Sequence, residues 1–190
     1  MELLKQLEKR RAYRAIGSRP VEKEVLVRLV EAAHLAPSSA NNQPWRFITV
    51  VEPEVLDTLK GTLTRGNYWA KKAPVITAVV TNPVWSLQLD NRDFAYFELG
   101  MAAMAYQLQA VQEQLIVHPI AGFDVAEAKR ILQIGTDEIL QTLIVLGYPG
   151  SIEDLNEKHR DLERSLRIRK PLNEVSSFDK WEAKLFPPSK

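Results

Sequence analysis

The sequence predicts a layered domain of the α/β or α+β class, because β-branched segments alternate with helical segments along its 190 residues. The segment VITAVVT (75–81) has the composition of a strand that is buried on both faces. The stretch from about Arg92 to Leu115 is apolar on nearly every side of a helix, so it belongs in a core or at an interface between subunits.

The elements before VITAVVT follow from apolar spacing and from prolines. Leucine and valine recur at helical spacing in two segments, and Pro37 ends the second of these. The predicted elements are a helix over 2–12, a loop over 13–20, a helix over 22–35, a polar loop over 37–44, a strand over 45–51, a short helix that begins at Pro53, and a loop over 65–72.

The remainder of the chain contains one more helix, one more strand and an arm. The pattern predicts a helix over 126–134 and a strand over 143–147 that ends at Gly-Tyr-Pro. The last forty residues, about 150–190, are charged and rich in proline, with weak helical patterns near 153–166 and 178–185. We interpret residues 1–190 as one domain whose extended C-terminal arm wraps a partner, for which a second subunit is a candidate.

Composition excludes several classes of function. Lysine plus arginine number 25 against 24 acidic residues, so no bulk charge favours nucleic acid or an anionic membrane. The absence of cysteine excludes disulfides, thiolate metal sites and cysteine nucleophiles, and three scattered histidines do not predict a metal site. No apolar run approaches the roughly 20 residues that span a bilayer, and the N-terminus lacks a signal-peptide pattern, so we expect a cytoplasmic protein.

Two basic clusters are candidate anion sites. Arg10, Arg11 and Arg14 place three guanidinium groups within five residues, which suits a phosphate. A second cluster lies in the arm, at 164–170. Each cluster alone is more simply read as a solvated charged face, but the two could converge on one phosphate.

Two loops could contact a ligand. The segment 37–45 (PSSANNQPW) offers hydroxyl, amide and backbone groups that suit a neutral heterocycle, although it could equally be a helix-capping loop. The segment 119–124 (PIAGFD) contains an Ala-Gly pair that lets a backbone N–H approach a flat ligand, while Asp124 is better read as a helix cap.

The sequence contains no GxGxxG, P-loop, HExxH or GxSxG motif and no convincing pair of nucleophile and base. An enzyme with this profile usually leaves the chemistry to a cofactor.

Five segments together resemble the nitroreductase family: RRAYR (10–14), EAAHLAPSSANNQPWRF (31–47), AGFD (121–124), LGYP (146–149) and RIRKPL (167–172). They occur in that family's order and approximate spacing across essentially the whole chain. The resemblance implies an α+β fold in which helices flank a central sheet. It also implies a homodimer paired through long helices, with exchanged C-terminal arms and FMN bound at the interface.

The resemblance also implies which residues contact FMN. Arg10 is the best candidate for the phosphate, and the neighbouring and late basic residues accompany it. The loop 37–41 would reach the isoalloxazine from the other subunit, and the turn after the long helix would approach flavin N5 and O4. The implied cofactor-binding residues are Arg10, Arg11, Ala12, Arg14, Pro37, Ser38, Ser39, Asn41, Pro119, Ile120, Ala121, Gly122, Arg167 and Arg169, with Asn67 or Lys71 at the pyrimidine edge.

The implied reaction is a ping-pong oxidation of NAD(P)H that reduces a nitroaromatic, a quinone or an activated alkene, without an essential protein acid or base. Trp69, Trp85 and Phe94 are candidates for the substrate wall, or are core residues. The alternatives are a different flavin reaction such as dehydrogenation or dehalogenation, a non-catalytic flavin-binding protein, and a nucleic-acid-binding module. The chain departs from the family at Ala12, at Ala121 and in the absence of a Gly-rich turn after the long helix.

Overall fold

A computed structural model describes residues 3–185. The α-helices are α1 (Lys5–Lys9), α2 (Lys23–His34), α3 (Pro53–Lys60), α4 (Phe94–Gln112), α5 (Val125–Ile131) and α6 (Glu157–Arg164). The strands are β1 (Arg46–Val50), β2 (Val75–Thr81), β3 (Gln88–Leu89), β4 (Arg92–Asp93), β5 (Ile116–Ile120) and β6 (Ile139–Gly147). Short 3₁₀ segments lie at Ser39–Asn41, Arg65–Lys72, Pro83–Trp85, Ile152–Asp154, Leu172–Glu174 and Ala183–Leu185.

The central sheet has four strands in the order β1-β2-β6-β5, and every neighbouring pair is antiparallel. This pairing makes the fold α+β rather than α/β, as the family resemblance implied. The strand β2 lies in the interior of the sheet and all seven of its residues are buried. The strands β1 and β5 form the two edges of the sheet.

Helices cover both faces of the sheet. On one face α2 and α4 bury a cluster around Leu29, Leu99 and Tyr106, against alternate residues of β2 and β6. On the other face α3, α5 and the 3₁₀ segment Arg65–Lys72 bury a cluster around Leu59 and Trp69. The two layers explain why VITAVVT carries no polar face, since its alternate side chains enter two different cores.

The strand β5 was not predicted, because its apolar residues follow the long helix directly and continue its pattern. The structure ends α4 at Gln112, and Gln114 has a left-handed φ of 62°. The Leu115 amide donates to the Ala110 carbonyl (2.9 Å) and the Gln114 amide to the Val111 carbonyl (3.1 Å), which is a Schellman cap. Gln114 therefore occupies the position that glycine usually takes.

Other elements also differ from the prediction, among them the helix predicted over 126–134, which is Val125–Ile131. The helix α1 is shorter than predicted over 3–12, and residues 1–2 lie outside the described part. The predicted loop over 65–72 is a 3₁₀ segment with a kink at Asn67. A two-residue hairpin, β3–β4, precedes α4, and its turn residues Asp90 and Asn91 have positive φ as in a type I′ turn. The strand β6 begins four residues early, where an irregularity beside Val79 and Val80 alters its register.

The helix α4 carries an apolar stripe on the side that faces away from the sheet. Its residues are spaced by four, three, four and three positions, as along one seam of a coiled coil. Phe97 is 65% exposed, and the other members are half-buried in the single chain. We call these residues the outer stripe: Phe97, Met101, Met104, Leu108 and Val111, the last of which also packs against the core between α4 and the sheet.

The arm after α6 contains little regular structure and exposes large apolar side chains. Leu166, Ile168, Leu172, Val175 and Phe178 are each at least 60% exposed. The weak helical pattern near 153–166 corresponds to Ile152–Asp154 and α6, whereas that near 178–185 corresponds only to the turn Ala183–Leu185. Within residues 3–185, no helix is both long enough and apolar enough to cross a membrane.

Candidate functional site

The two predicted basic clusters meet in the structure. Residues 10–14, which follow α1, and residues 162–169, at the end of α6 and the start of the arm, line one cleft of about 340 Å³. We call it the arginine cleft. The sequence alone left open whether these clusters converge, and the fold brings together segments about 150 residues apart.

Two of the arginines hold the walls of the arginine cleft together. Arg11 donates to the Ser165 carbonyl at 2.6 Å. Arg167 donates to the carbonyls of Leu7 (3.1 Å), Glu8 (2.9 Å) and Arg10, so it satisfies acceptors at the end of α1 that lack helical partners. The Arg14 amide donates to the Glu163 carboxylate at 2.8 Å. Arg11 and Arg167 are therefore engaged by backbone, which leaves fewer of their donors for a ligand.

Arg10 is different, because its guanidinium has no hydrogen bond or ion pair with any residue of 3–185. Burial lowers the pKa of Arg10, and the charges of Arg167 and Arg169 lower it further. Arg169 bonds only the carbonyl of its neighbour Ile168 (2.8 Å). Ala12 lies exposed on the wall of the cleft. A half-buried cation beside two like charges gives this cleft an excess of positive charge, which suits an anion.

The strand β5 connects the region of the arginine cleft to the candidate ligand loop 119–124. His118 is buried in β5, where its Nδ1 donates to the Tyr13 carbonyl at 3.0 Å and its ring packs on Trp69 at 4.6 Å between centroids. Burial lowers the pKa of His118 to about 4, with a smaller contribution from Arg14 and Arg10. Pro119 and Ile120 are the last two residues of this strand rather than part of a loop.

Gly122 packs closely against the segment before β2. A Cβ at this position would lie 2.6 Å from the Thr64 hydroxyl and 2.8 Å from the Asn67 amide nitrogen. The Gly122 carbonyl accepts from the Thr64 amide (3.0 Å), the Thr64 hydroxyl (3.0 Å) and Asn67 Nδ2 (2.9 Å). The amide N–H groups of Ala121 and Gly122 have no acceptor within residues 3–185. Two free donors therefore remain at this turn.

Asn67 and Lys71 were alternative candidates for contact with the pyrimidine edge of the flavin. The structure places Asn67 against Gly122, with the oxygen of its amide left without a partner in the described chain. Lys71 is exposed one turn later, and no described residue pairs with its ammonium group. Asn67 thus belongs to the turn at 121–122 by direct contact.

The loop 37–44 is ordered by contacts with α4 and β2. Gln43 donates its amide to the Ser38 hydroxyl (2.9 Å), and the Thr81 hydroxyl donates to the Pro44 carbonyl (2.6 Å). The Ser39 amide donates to Glu98 of α4 at 2.7 Å. The side chains of Ser39 and Asn41 have no partner in the described chain, whereas Pro37 is exposed at the start of the loop.

This loop and the arginine cleft lie at opposite ends of α4. The loop contacts Glu98, while Gln6 of α1 donates to Gln112 at 2.7 Å, close to the cleft. Fourteen residues of helix at 1.5 Å each separate these contacts by about 20 Å. Within one subunit, therefore, the structure does not bring Pro37, Ser38, Ser39 and Asn41 to the arginine cleft.

The three aromatic candidates for the substrate wall have different environments. Trp69 is 3% exposed and packs in the core against His118, so it is a core residue. Trp85 lies under the guanidinium of Arg46, and Phe94 under that of Arg92. Both of these rings are half-buried near the start of α4.

Sequence reasoning missed His118, Thr64 and Glu98 as residues that shape these segments. His118 and Thr64 act through backbone carbonyls of residues distant in sequence. Glu98 did interrupt an otherwise apolar helix, which was a usable signal for a buried polar contact.

Burial of neutral His118 predicts an acid-sensitive fold. Its folded pKa of about 4 lies below the usual 6.5, so the unfolded chain binds more protons between these values. The free energy of unfolding should therefore fall by up to about 3 kcal/mol through His118 as pH decreases from 6.5 to 4. Urea unfolding at several pH values should show this loss in the wild type and a smaller loss in His118→Asn.

The asparagine keeps an N–H donor for the Tyr13 carbonyl but does not titrate in this range. Because His159 also has a lowered pKa, mainly from burial, the comparison uses the difference between the two proteins. Equal losses of stability on acidification would contradict the role given to His118.

The comparison with known proteins agrees with the family and the fold. The model of the nitroreductase family matches residues 7–148, and the chain belongs to this family. A relative from Archaeoglobus fulgidus, named "Putative NADH dehydrogenase/NAD(P)H nitroreductase", is 27% identical over 168 residues, or 82% of this chain and 90% of the relative. Iodotyrosine deiodinase 1 of Rattus norvegicus is 43% identical over 54 residues, 28% of this chain and 19% of that protein.

Solved structures share the same fold. One, described as an oxidoreductase containing FMN, superposes with a TM-score of 0.84 at 24% identity, over 96% of this chain and 94% of that chain. A nitroreductase family protein from Clostridium difficile 630 superposes with a TM-score of 0.76 at 22% identity, over 95% and 100% of the two chains. These likenesses confirm the α+β nitroreductase fold.

Proposed function

We propose that this protein is an FMN-dependent oxidoreductase that uses NAD(P)H to reduce small electrophilic acceptors such as nitroaromatics or quinones. The observation that carries the proposal is the arginine cleft, in which Arg10 has no partner among the described residues while Arg167 and Arg169 lie close enough to lower its pKa. A phosphate monoester would neutralise this excess charge and accept several charge-assisted hydrogen bonds.

The other segments fit the remainder of FMN. Arg10, Arg14 and Arg169 would hold the phosphate, while Arg11 and Arg167 keep the two walls of the cleft in place. The free N–H groups of Ala121 and Gly122 would face the polar edge of the isoalloxazine, as the family resemblance implied. The free oxygen of Asn67 and the ammonium of Lys71 are available at the pyrimidine side.

Bound FMN would supply the redox chemistry, accepting hydride from NAD(P)H and then reducing the acceptor in a second half-reaction. The chain itself would bind and orient the ligands. A cation such as Lys71 near the pyrimidine edge would stabilise negative charge that develops there. No group of three or more His, Cys, Asp or Glu within residues 3–185 is arranged to hold a metal ion.

We also propose that the active form is a homodimer. The outer stripe of α4 is apolar, partly exposed and spaced for packing against a second helix. Two-fold pairing of α4 would turn the loop 37–44 of one subunit toward the arginine cleft of the other, which compensates for their separation of about 20 Å within a chain. Ser38, Ser39 and Asn41 would then serve the partner's flavin.

Exchange of the C-terminal arms completes this dimer. The exposed apolar residues of the arm need a surface to cover them. The free edge of β1 is flanked by apolar grooves of about 630 Å³ on the α2 side and about 280 Å³ on the α3 and α5 side. An extended arm from the second subunit could place alternate side chains in these two grooves.

The second candidate is a different flavin reaction in the same site, such as reductive dehalogenation. This alternative is supported by the local similarity to iodotyrosine deiodinase 1, at 43% identity over 54 residues. The match covers 28% of this chain, less than the 82% covered by the archaeal relative, so the reductase is preferred.

Steady-state assays separate the two candidates. The FMN-loaded protein should oxidise NADH or NADPH when a nitroaromatic or a quinone is added, with parallel lines in double-reciprocal plots. Failure of both nicotinamides to reduce the bound flavin, together with halide release from a halophenol under dithionite, would instead support the dehalogenase.

A further inference from the structure

Glu98 is the one acidic side chain that α4 buries among the described residues. It is 2% exposed, and its two carboxylate oxygens accept hydrogen bonds from different segments. One bond comes from the Ser39 amide of the loop 37–44 at 2.7 Å, and the other from the Ser86 hydroxyl at 2.5 Å. No arginine or lysine within residues 3–185 forms an ion pair with it. Burial of a carboxylate without a cation is costly, so its two donors are important.

The loop that Glu98 contacts has an unfavourable backbone conformation. Ala40, Asn41 and Gln43 have φ values of 48°, 58° and 52°, in the left-handed region that disfavours residues other than glycine. Such a segment persists only where its surroundings hold it. Ser38 and Thr81 fix the end of the loop that leads into β1, and Glu98 fixes the beginning.

We propose that Glu98 is a positioning residue that presents the loop 37–44 to the isoalloxazine of the partner subunit's FMN. The carboxylate holds the Ser39 amide, and the side chains of Ser39 and Asn41 in the same loop have no partner among the described residues. Through Ser86 it couples this loop to the segment 83–87, which is next to the candidate substrate wall at Trp85. The inference rests on the proposed function, since it requires bound FMN.

The experiment compares FMN with riboflavin, which lacks the phosphate. Glu98→Gln keeps the shape of the side chain but replaces one acceptor oxygen with an N–H₂ donor, and Ser86→Ala removes only the second contact. Glu113→Gln is the matched control, because it removes a carboxylate from the end of the same helix, where Glu113 pairs with Arg28 at 2.8 Å. Each apo-dimer is titrated with both flavins, and the visible circular dichroism is recorded at saturation.

We expect Glu98→Gln to weaken the binding of FMN and of riboflavin by the same factor, about tenfold. The Ser39 amide would then donate to a neutral amide oxygen instead of a charged carboxylate, and charge-assisted hydrogen bonds are about twice as strong as neutral ones, so the effect falls on the loop at the ring end. Ser86→Ala should weaken the affinity for both flavins by about threefold. Glu113→Gln should leave both affinities within about twofold of the wild-type values. The visible circular dichroism of the saturated flavin should change in Glu98→Gln. A mere loss of fold stability would lower the melting temperature of the apo-protein but would leave that spectrum unchanged.

Unchanged affinities and an unchanged spectrum in Glu98→Gln would overturn the inference, as would a loss confined to FMN, which would place the effect at the phosphate. If Glu98→Gln does not fold, Ser86→Ala decides between the same outcomes. A wild-type protein that binds neither flavin would instead overturn the proposed function, so the two failures are distinguishable.

Discussion

Simultaneous replacement of Arg10 and Arg169 with alanine will raise the dissociation constant for FMN by at least about 100-fold while the protein remains folded. Each charge-assisted hydrogen bond to a phosphate contributes about 1.5–3 kcal/mol, so the loss of two exceeds a hundredfold change in affinity. The fold should tolerate the change, because Arg10 has no partner within residues 3–185 and Arg169 bonds only its neighbour's carbonyl. Removal of Arg10 also relieves its repulsion with Arg167.

Fluorescence titration with FMN and riboflavin measures this effect. Riboflavin affinity should change by less than about threefold, because the substitutions act on the phosphate alone. Arg130→Ala is the control for loss of an arginine, since Arg130 pairs with Glu127 on the surface of α5. Full FMN affinity in the double variant would contradict the assignment of the arginine cleft, and an equal loss of riboflavin would indicate damage to the fold.

A lysine at Met104 should weaken the dimer by at least about 100-fold. Met104 lies at the middle of the outer stripe, where two-fold pairing would bury two ammonium groups without a counter-ion. An uncompensated buried charge destabilises by about 3–5 kcal/mol, which corresponds to this change in the dissociation constant of the dimer. Because the loop 37–44 would then leave the partner's site, bound flavin should be lost together with the dimer.

Sedimentation equilibrium across a range of concentrations checks this result. Val125→Lys is the matched control, because Val125 is also an exposed apolar helix residue but lies on α5. If the Met104→Lys protein remains a flavin-loaded dimer down to the same protein concentration as the wild type, the outer stripe is not the interface.

The fold was predictable where periodicity and turn residues act locally. The strand 75–81, the helix α2 and the proline-initiated helix α3 all follow from such signals. The strand β5 did not, because its apolar residues continue the pattern of α4 and the cap that ends the helix has Gln114, not glycine, at its left-handed position. The order of the strands depends on long-range pairing and was not predicted, since the resemblance to a family implied only a central sheet flanked by helices.

The candidate site was predictable as a set of segments but not as a set of contacts. The two arginine clusters and the Ala-Gly turn are visible in the sequence, because their chemistry is unusual. The sequence does not show which arginines have protein partners. In the structure Arg11 and Arg167 donate to backbone carbonyls, while Arg10 has no partner within residues 3–185. Gly122 was expected for its approach to a ligand, whereas the structure shows that it also packs closely against the side chains of Thr64 and Asn67.

The measurement that tests the central claim most directly is the visible absorption spectrum of the purified protein, with identification of the released chromophore. The account predicts an oxidised-flavin spectrum and FMN in about one-to-one ratio to subunits, directly or after reconstitution. A colourless protein that takes up no FMN at saturating concentration would contradict it.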